Sequence, residues 1–168
     1  METPTWALLL SFWVHMLATV VWIGGLAALT ILILPIASRT LDEKAYARFL
    51  GTVHRRLEPL GWISLGVLTA TGLIQTVDNE NYTGLLSFTN NWARAMLLKH
   101  IFFAGMVGVS AYITWRITPA LRHAALLKAR NKDAGEEARL EGRRAALLRV
   151  NLLLGIAVLV FTALARIS

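Results

Sequence analysis

Four long apolar stretches, separated by polar segments of two opposite characters, organise this chain. They run from about Trp6 to Ala37, Leu57 to Val77, Ala93 to Ile117 and Leu147 to Ala165. A bilayer core about 30 Å thick needs roughly 20 apolar residues of helix, and every stretch reaches or approaches that length without a strand-like alternation. The pattern therefore predicts an all-α integral membrane fold, a four-transmembrane-helix bundle over a single transmembrane domain spanning residues 1–168. The first stretch would measure roughly 45 Å as a straight helix, so it must tilt, protrude or break near Pro35. It is too long for a signal-peptide core and lacks a convincing cleavage site, so it reads as a retained span.

The polar segments set the expected orientation. Arg39, Lys44, Arg48, Arg55 and Arg56 fall between the first two stretches, and the segment of about residues 118–146 between the last two is richer still in Arg and Lys. The segment from Asp78 to Asn91 has no Lys or Arg. By the positive-inside rule, both basic segments are expected in the cytoplasm, with the acidic connection and both termini on the extracytoplasmic side. Short amphipathic structure is expected around Leu85, Leu86 and Phe88, and a charged helical extension over Arg130 to Arg144.

Composition agrees with this class. The chain is 56% hydrophobic with a mean hydropathy of +0.56, which is far from an ordinary soluble domain. The net charge of +7 sits in the loops as topology signals and contacts for anionic lipid, so no nucleic-acid partner is expected and the bilayer itself is the principal one. With no cysteine, disulfides, thiolate metal sites and covalent c-type haem attachment are excluded. Any haem would have to be held non-covalently.

Two histidines inside apolar stretches are the strongest chemical signal. Ionisable side chains are costly in hydrocarbon and mark a bundle interior, a partner or a cofactor. His15 lies nine residues beyond Trp6 and His100 eight beyond Trp92, and the two stretches run in the same direction. With both tryptophans taken as interfacial anchors, the histidines share a depth of roughly 12 to 14 Å. Helical spacing sets Thr19, Trp22 and Leu26 on the His15 face with Gly25 at its edge, and Met96, Phe103, Ala104 and Val107 beside His100. Ligands, small residues and aromatic walls together suit a flat cofactor.

A second histidine pair, His54 and His123, is expected near the cytoplasmic interface, an arrangement like that of two-haem transmembrane cytochromes; solvated or lipid-facing side chains flanked by Arg55, Arg56 and Arg122 are the plainer reading. Lys99 and Arg94 either snorkel to headgroups or pair with a carboxylate such as a haem propionate. Glu58, before Pro59, reads as a carboxylate at a helix start beside basic neighbours. Gly61, Gly66, Gly72, Gly105 and Gly108 read as close-packing positions, serving contacts within the chain or a homodimer equally well. Met16, Met96 and Met106 read as apolar filler, although methionine beside histidine also suits Cu(I).

The run from His15 through Trp22, Gly24, Gly25 and Leu26 resembles the H-x6-W-x-G-G-L signature of the CopD family of bacterial membrane proteins, which is related to the haem-dependent porphyrinogen oxidase HemJ. Arg48-Phe49, Thr71-Gly72 and Leu97-Leu98-Lys99 are similar to further parts of that pattern. The resemblance implies a four-helix module of the bacterial inner membrane, with His15 as a haem or metal ligand and Lys99 at a family-typical position. The Tyr-x-Pro-Arg feature of the HemJ branch is missing after Gly25. So are the extra spans and methionine-rich outer segments of CopD proteins named for copper.

The combined expectation is a b-type haem protein with bis-histidine ligation by His15 and His100, engaged in one-electron transfer with a quinol or a membrane redox protein. As an enzyme it would be an oxidoreductase or an electron-transfer component. Copper handling through the same histidines and HemJ-like porphyrinogen oxidation are the alternatives, and a structural subunit without a cofactor stays open.

Overall fold

A computed structural model describes residues 4–80, 82, 84, 88, 90–128 and 135–167. Four helices in it are long and apolar enough to cross a membrane: α1 over Thr5–Thr40, α2 over Glu43–Val77, α3 over Asn91–Leu127 and α4 over Gly135–Ile167. The chain is an all-α, multi-pass membrane protein, as the hydropathy pattern predicts. Each apolar stretch is the middle of a longer helix. Polar residues 43–56 prolong α2 and residues 135–146 prolong α4, so the bundle projects a charged helical layer at its basic end. Leu85, Leu86 and the stretch Arg130 to Ala134 lie outside the described residues.

Local chemistry sets the helix starts. Only Leu41 and Asp42 separate α1 from α2, and the Asp42 carboxylate caps α2 by accepting from the Ala45 N–H at 2.8 Å. Asn90 caps α3 in the same way, accepting from Ala93 N–H at 2.7 Å. Three π-helical segments interrupt the regular turns, over Val20–Gly24 and Ala28–Ile33 in α1 and Ile113–Ile117 in α3. Two of them end just ahead of a proline, Pro35 and Pro119. A proline ring crowds the carbonyl four residues back and supplies no N–H, and a wider turn relieves both defects. Buried Thr30 satisfies its hydroxyl within its own helix, donating to Leu26 O at 2.7 Å. Pro59 sits inside α2 without such a segment.

Helix α3 packs chiefly on α4 and α1 chiefly on α2. Leu26 and Leu29 of α1 meet Met106 and Ile113 of α3 and Leu148 of α4 in the central core. Gly155 marks the tightest approach, where a Cβ would press on Met106 at 3.3 Å and touch Ile23. Tight backbone approach supplies dispersion where lipid removes the hydrophobic drive between helices. Leu9, Trp13, Val20, Ile31, Leu153 and others project outward, as lipid-facing side chains should.

One anchor differs from expectation. Trp6 is 70% exposed, but Trp92 is only 7% exposed, in an embedded start to α3 where Ala93 and Ala95 are also buried. The Trp92 indole therefore belongs to the protein interior and is no lipid-interface marker.

Candidate functional site

The two intramembrane histidines line one cavity. Its volume is about 390 Å³, and all four helices contribute: His15, Thr19 and Trp22 from α1, Leu68 and Gly72 from α2, Lys99, His100, Phe103 and Met106 from α3, and Val158 and Thr162 from α4. Val20, Leu73 and Leu159 at its rim are exposed, so it opens laterally toward lipid.

The hydrogen bonds assign the histidine tautomers. His100 Nδ1 lies 2.6 Å from the Met96 carbonyl oxygen, which only accepts, so Nδ1 carries the proton. His15 Nδ1 lies 2.7 Å from Thr71 Oγ1. The single Thr71 hydroxyl proton goes to Val67 O at 2.6 Å, so the hydroxyl accepts from His15 Nδ1–H. Each ring is thereby pinned through Nδ1 and keeps an Nε2 lone pair with no hydrogen bond among the described residues. Metal-ligating histidines are prepared in this way, with the second nitrogen donating to a carbonyl or hydroxyl that fixes tautomer and orientation.

Helix α2 holds the His15 ring by more than one contact. A Cβ at Gly72 would stand 3.4 Å from His15 Cε1, at ordinary contact distance, so α2 lies directly against the imidazole at this position. One turn further along, Ser11 Oγ reaches Thr71 O at 3.4 Å and Gln75 Nε2 donates to Ser11 O at 3.2 Å. The Thr71-Gly72 pair is thus the cradle of His15, a role that spacing alone did not disclose.

The other sequence-derived positions are dispersed. Lys99 lines the cavity beside His100, whereas exposed Arg94 turns back to donate from Nε to Phe88 O at 3.2 Å. Gly25 and Leu26 line a different cavity, of about 100 Å³, with Trp22 common to both. Met96, Ala104 and Val107 are not among the lining residues of the larger cavity, but Met16 and Met106 are. His54 and His123 are not brought together. His54 Nε2 faces Glu58 Oε2 at 3.3 Å and Thr118 Oγ1 at 3.1 Å, and His123 is exposed on α3.

One position was missed. Asn151 is 1% exposed in the middle of α4 and donates from Nδ2 to Ser110 Oγ at 2.9 Å. A lone amide in an apolar span is the signal that marks it. Gly61, read from the sequence as a close-packing position, is one: a Cβ there would collide with the Trp22 ring, so this glycine sets where the indole can lie.

These features define a polytopic helical membrane protein with a lateral, histidine-bearing cavity. The family model described as copper resistance protein D, CopD, matches residues 51–165, more than half of the chain, and the protein belongs to that family. The match begins within α2, so the His15 run precedes it. Searches of curated proteins and of solved structures return no match.

Proposed function

We propose that this CopD-family protein binds haem b between α1 and α3, with His15 and His100 as axial ligands, and that it passes single electrons in or across the bacterial inner membrane. The carrying observation is the pair of Nδ1-anchored imidazoles that line one cavity, each with no hydrogen bond at Nε2 among the described residues. A volume of about 390 Å³ exceeds what a bare ion needs and suits a bulky planar ligand. Trp22 and Phe103 supply aromatic walls, Lys99 a cation for a propionate, and the lipid-facing rim an entry path for an apolar ring. Bound haem would supply one-electron chemistry. Held by both imidazoles, the haem would have no site left for oxygen or substrate, and burial together with Nδ1 hydrogen bonding of His15 and His100 would tune its potential. A quinol or a membrane redox protein is the partner class, and the basic end faces the cytoplasm.

The family description favours a second reading, copper handling. Met16 and Met106 line the same cavity as the two histidines, and thioether with imidazole is a Cu(I) donor set. Among the described residues no group of three or more His, Cys, Asp or Glu side chains could hold a metal, so copper would depend on the methionines. An optical spectrum and metal analysis of detergent-purified protein decide between the two. Haem gives a coloured preparation with a Soret band and a sharp α-band on reduction. A colourless preparation from haem-sufficient cells, carrying stoichiometric copper, overturns the haem reading.

A further inference from the structure

The smaller cavity is unlike the larger one. Asn151, the most buried polar residue among the described residues at 1% exposure, lines it. The orientation of its amide is determined, because the single hydroxyl proton of Ser110 goes to Met106 O at 2.8 Å and Ser110 Oγ must therefore accept from Asn151 Nδ2. Asn151 Oδ1 then points away from Ser110 and has no hydrogen-bond partner among the described residues. A buried acceptor left unbonded costs about 1–3 kcal/mol, and buried amides in native proteins almost always find protein or water.

The space has room for water. About 100 Å³ is ample for several waters, each needing about 10–15 Å³. Water also needs two to four polar partners. Asn151, Ser110, Thr114, His54 and Glu58 all line this cavity.

We propose that the smaller cavity is a hydrated proton-transfer chamber, with the His54–Glu58 pair as its mouth and Asn151 holding the innermost water. His54 also borders a polar cavity of about 510 Å³ at the basic end, so one imidazole touches both the outer space and the chamber. A proton taken from bulk water at the free nitrogen of His54 passes from Nε2 to Glu58 Oε2, 3.3 Å away, turning the carboxylate into a carboxylic acid and leaving the imidazole neutral. The groups around His54 are Tyr46, Arg55 and Glu58 on α2, Arg122 on α3, and Glu137, Glu141 and Arg144 on α4; the α1 lining is apolar. Trp22 walls both this chamber and the cavity of His15 and His100. A proton held in this chamber would offset part of the charge of an electron arriving in the neighbouring cavity, since low dielectric lengthens the reach of charge. That last coupling rests on the haem reading; hydration and proton exchange do not.

The test uses the full chain in lipid nanodiscs. In water-edited solid-state NMR, magnetisation should pass from water to the Asn151 side-chain amide and the Glu58 carboxyl well before it reaches Leu65, which is 3% exposed and lines neither cavity. In infrared spectra, a carboxylic C=O band should grow as pH falls, shift in D2O and vanish in Glu58→Gln. Equal build-up at Asn151 and Leu65 would mean a dry cavity and overturn the proposal. So would a hydrated cavity whose Glu58 band ignores pH or D2O. Neither readout requires haem, so a colourless preparation sinks the electron-transfer reading and leaves this one standing.

Discussion

At the scale of single residues, the site is a matter of which imidazole nitrogen stays free. His15 depends on a threonine on another helix, and His100 on its own helix carbonyl. His15→Ala and His100→Ala should each abolish the low-spin haem spectrum, leaving a high-spin iron or an empty pocket, while His123→Ala leaves it intact. Retention of the low-spin bands in His100→Ala would remove the depth argument altogether. Thr71→Val strands the His15 Nδ1 proton without an acceptor, and about 10- to 100-fold weaker cofactor retention is expected in a dilution or competition assay. Lys99 borders the cavity and a nearby positive charge favours the reduced state, so Lys99→Gln should lower the midpoint potential in a redox titration. The corresponding Arg94→Gln shift should be smaller, since exposed Arg94 is engaged by Phe88 O. Equal or absent shifts would mean that both side chains simply reach for lipid headgroups.

At the scale of elements, the contact between α1 and α2 positions the indole that separates the two cavities. A methyl group at Gly61 would collide with Trp22. Overpacking of this kind costs typically about 1–3 kcal/mol, so Gly61→Ala should lower the thermal midpoint in detergent and disturb haem retention. Shortening the indole in the Gly61→Ala/Trp22→Phe double variant should restore much of the loss. Strictly additive effects would show that the two residues do not share that space. The π-helical turn over Val20–Gly24 carries Trp22, and nothing in the residue pattern announces it. Helix period was legible in the sequence, but the local widening that aims a particular side chain was not, because it depends on what presses against the helix.

At the scale of the whole molecule, the loop charges predict which end faces the cytoplasm, and the absence of native cysteine makes the orientation simple to test. In intact cells, a membrane-impermeant thiol reagent should label Glu80→Cys and should reach Lys44→Cys only after lysis. The reverse pattern would invert the assigned topology and move the proton mouth at His54 to the outside.

The four crossings were determined by sequence alone, because hydrocarbon about 30 Å thick imposes a length and an apolarity on each span that no tertiary contact can waive. Helical rise converts residue offsets into distance along an axis, and the similar offsets of His15 and His100 agree with their lining one cavity, although Trp92 proved to be no interfacial anchor. Depth, however, says nothing of rotation about a helix axis or of neighbours. Only the packed bundle decided that Thr71 and Gly72 cradle His15, that Trp92 is interior while Trp6 is not, and that His54 turns to Glu58 and Thr118 with His123 left outside. It also decided that an asparagine in an apolar span ends beside a cavity with an unbonded oxygen. Each of these is a relation between side chains on different helices or on different faces of one, and hydropathy averages over both.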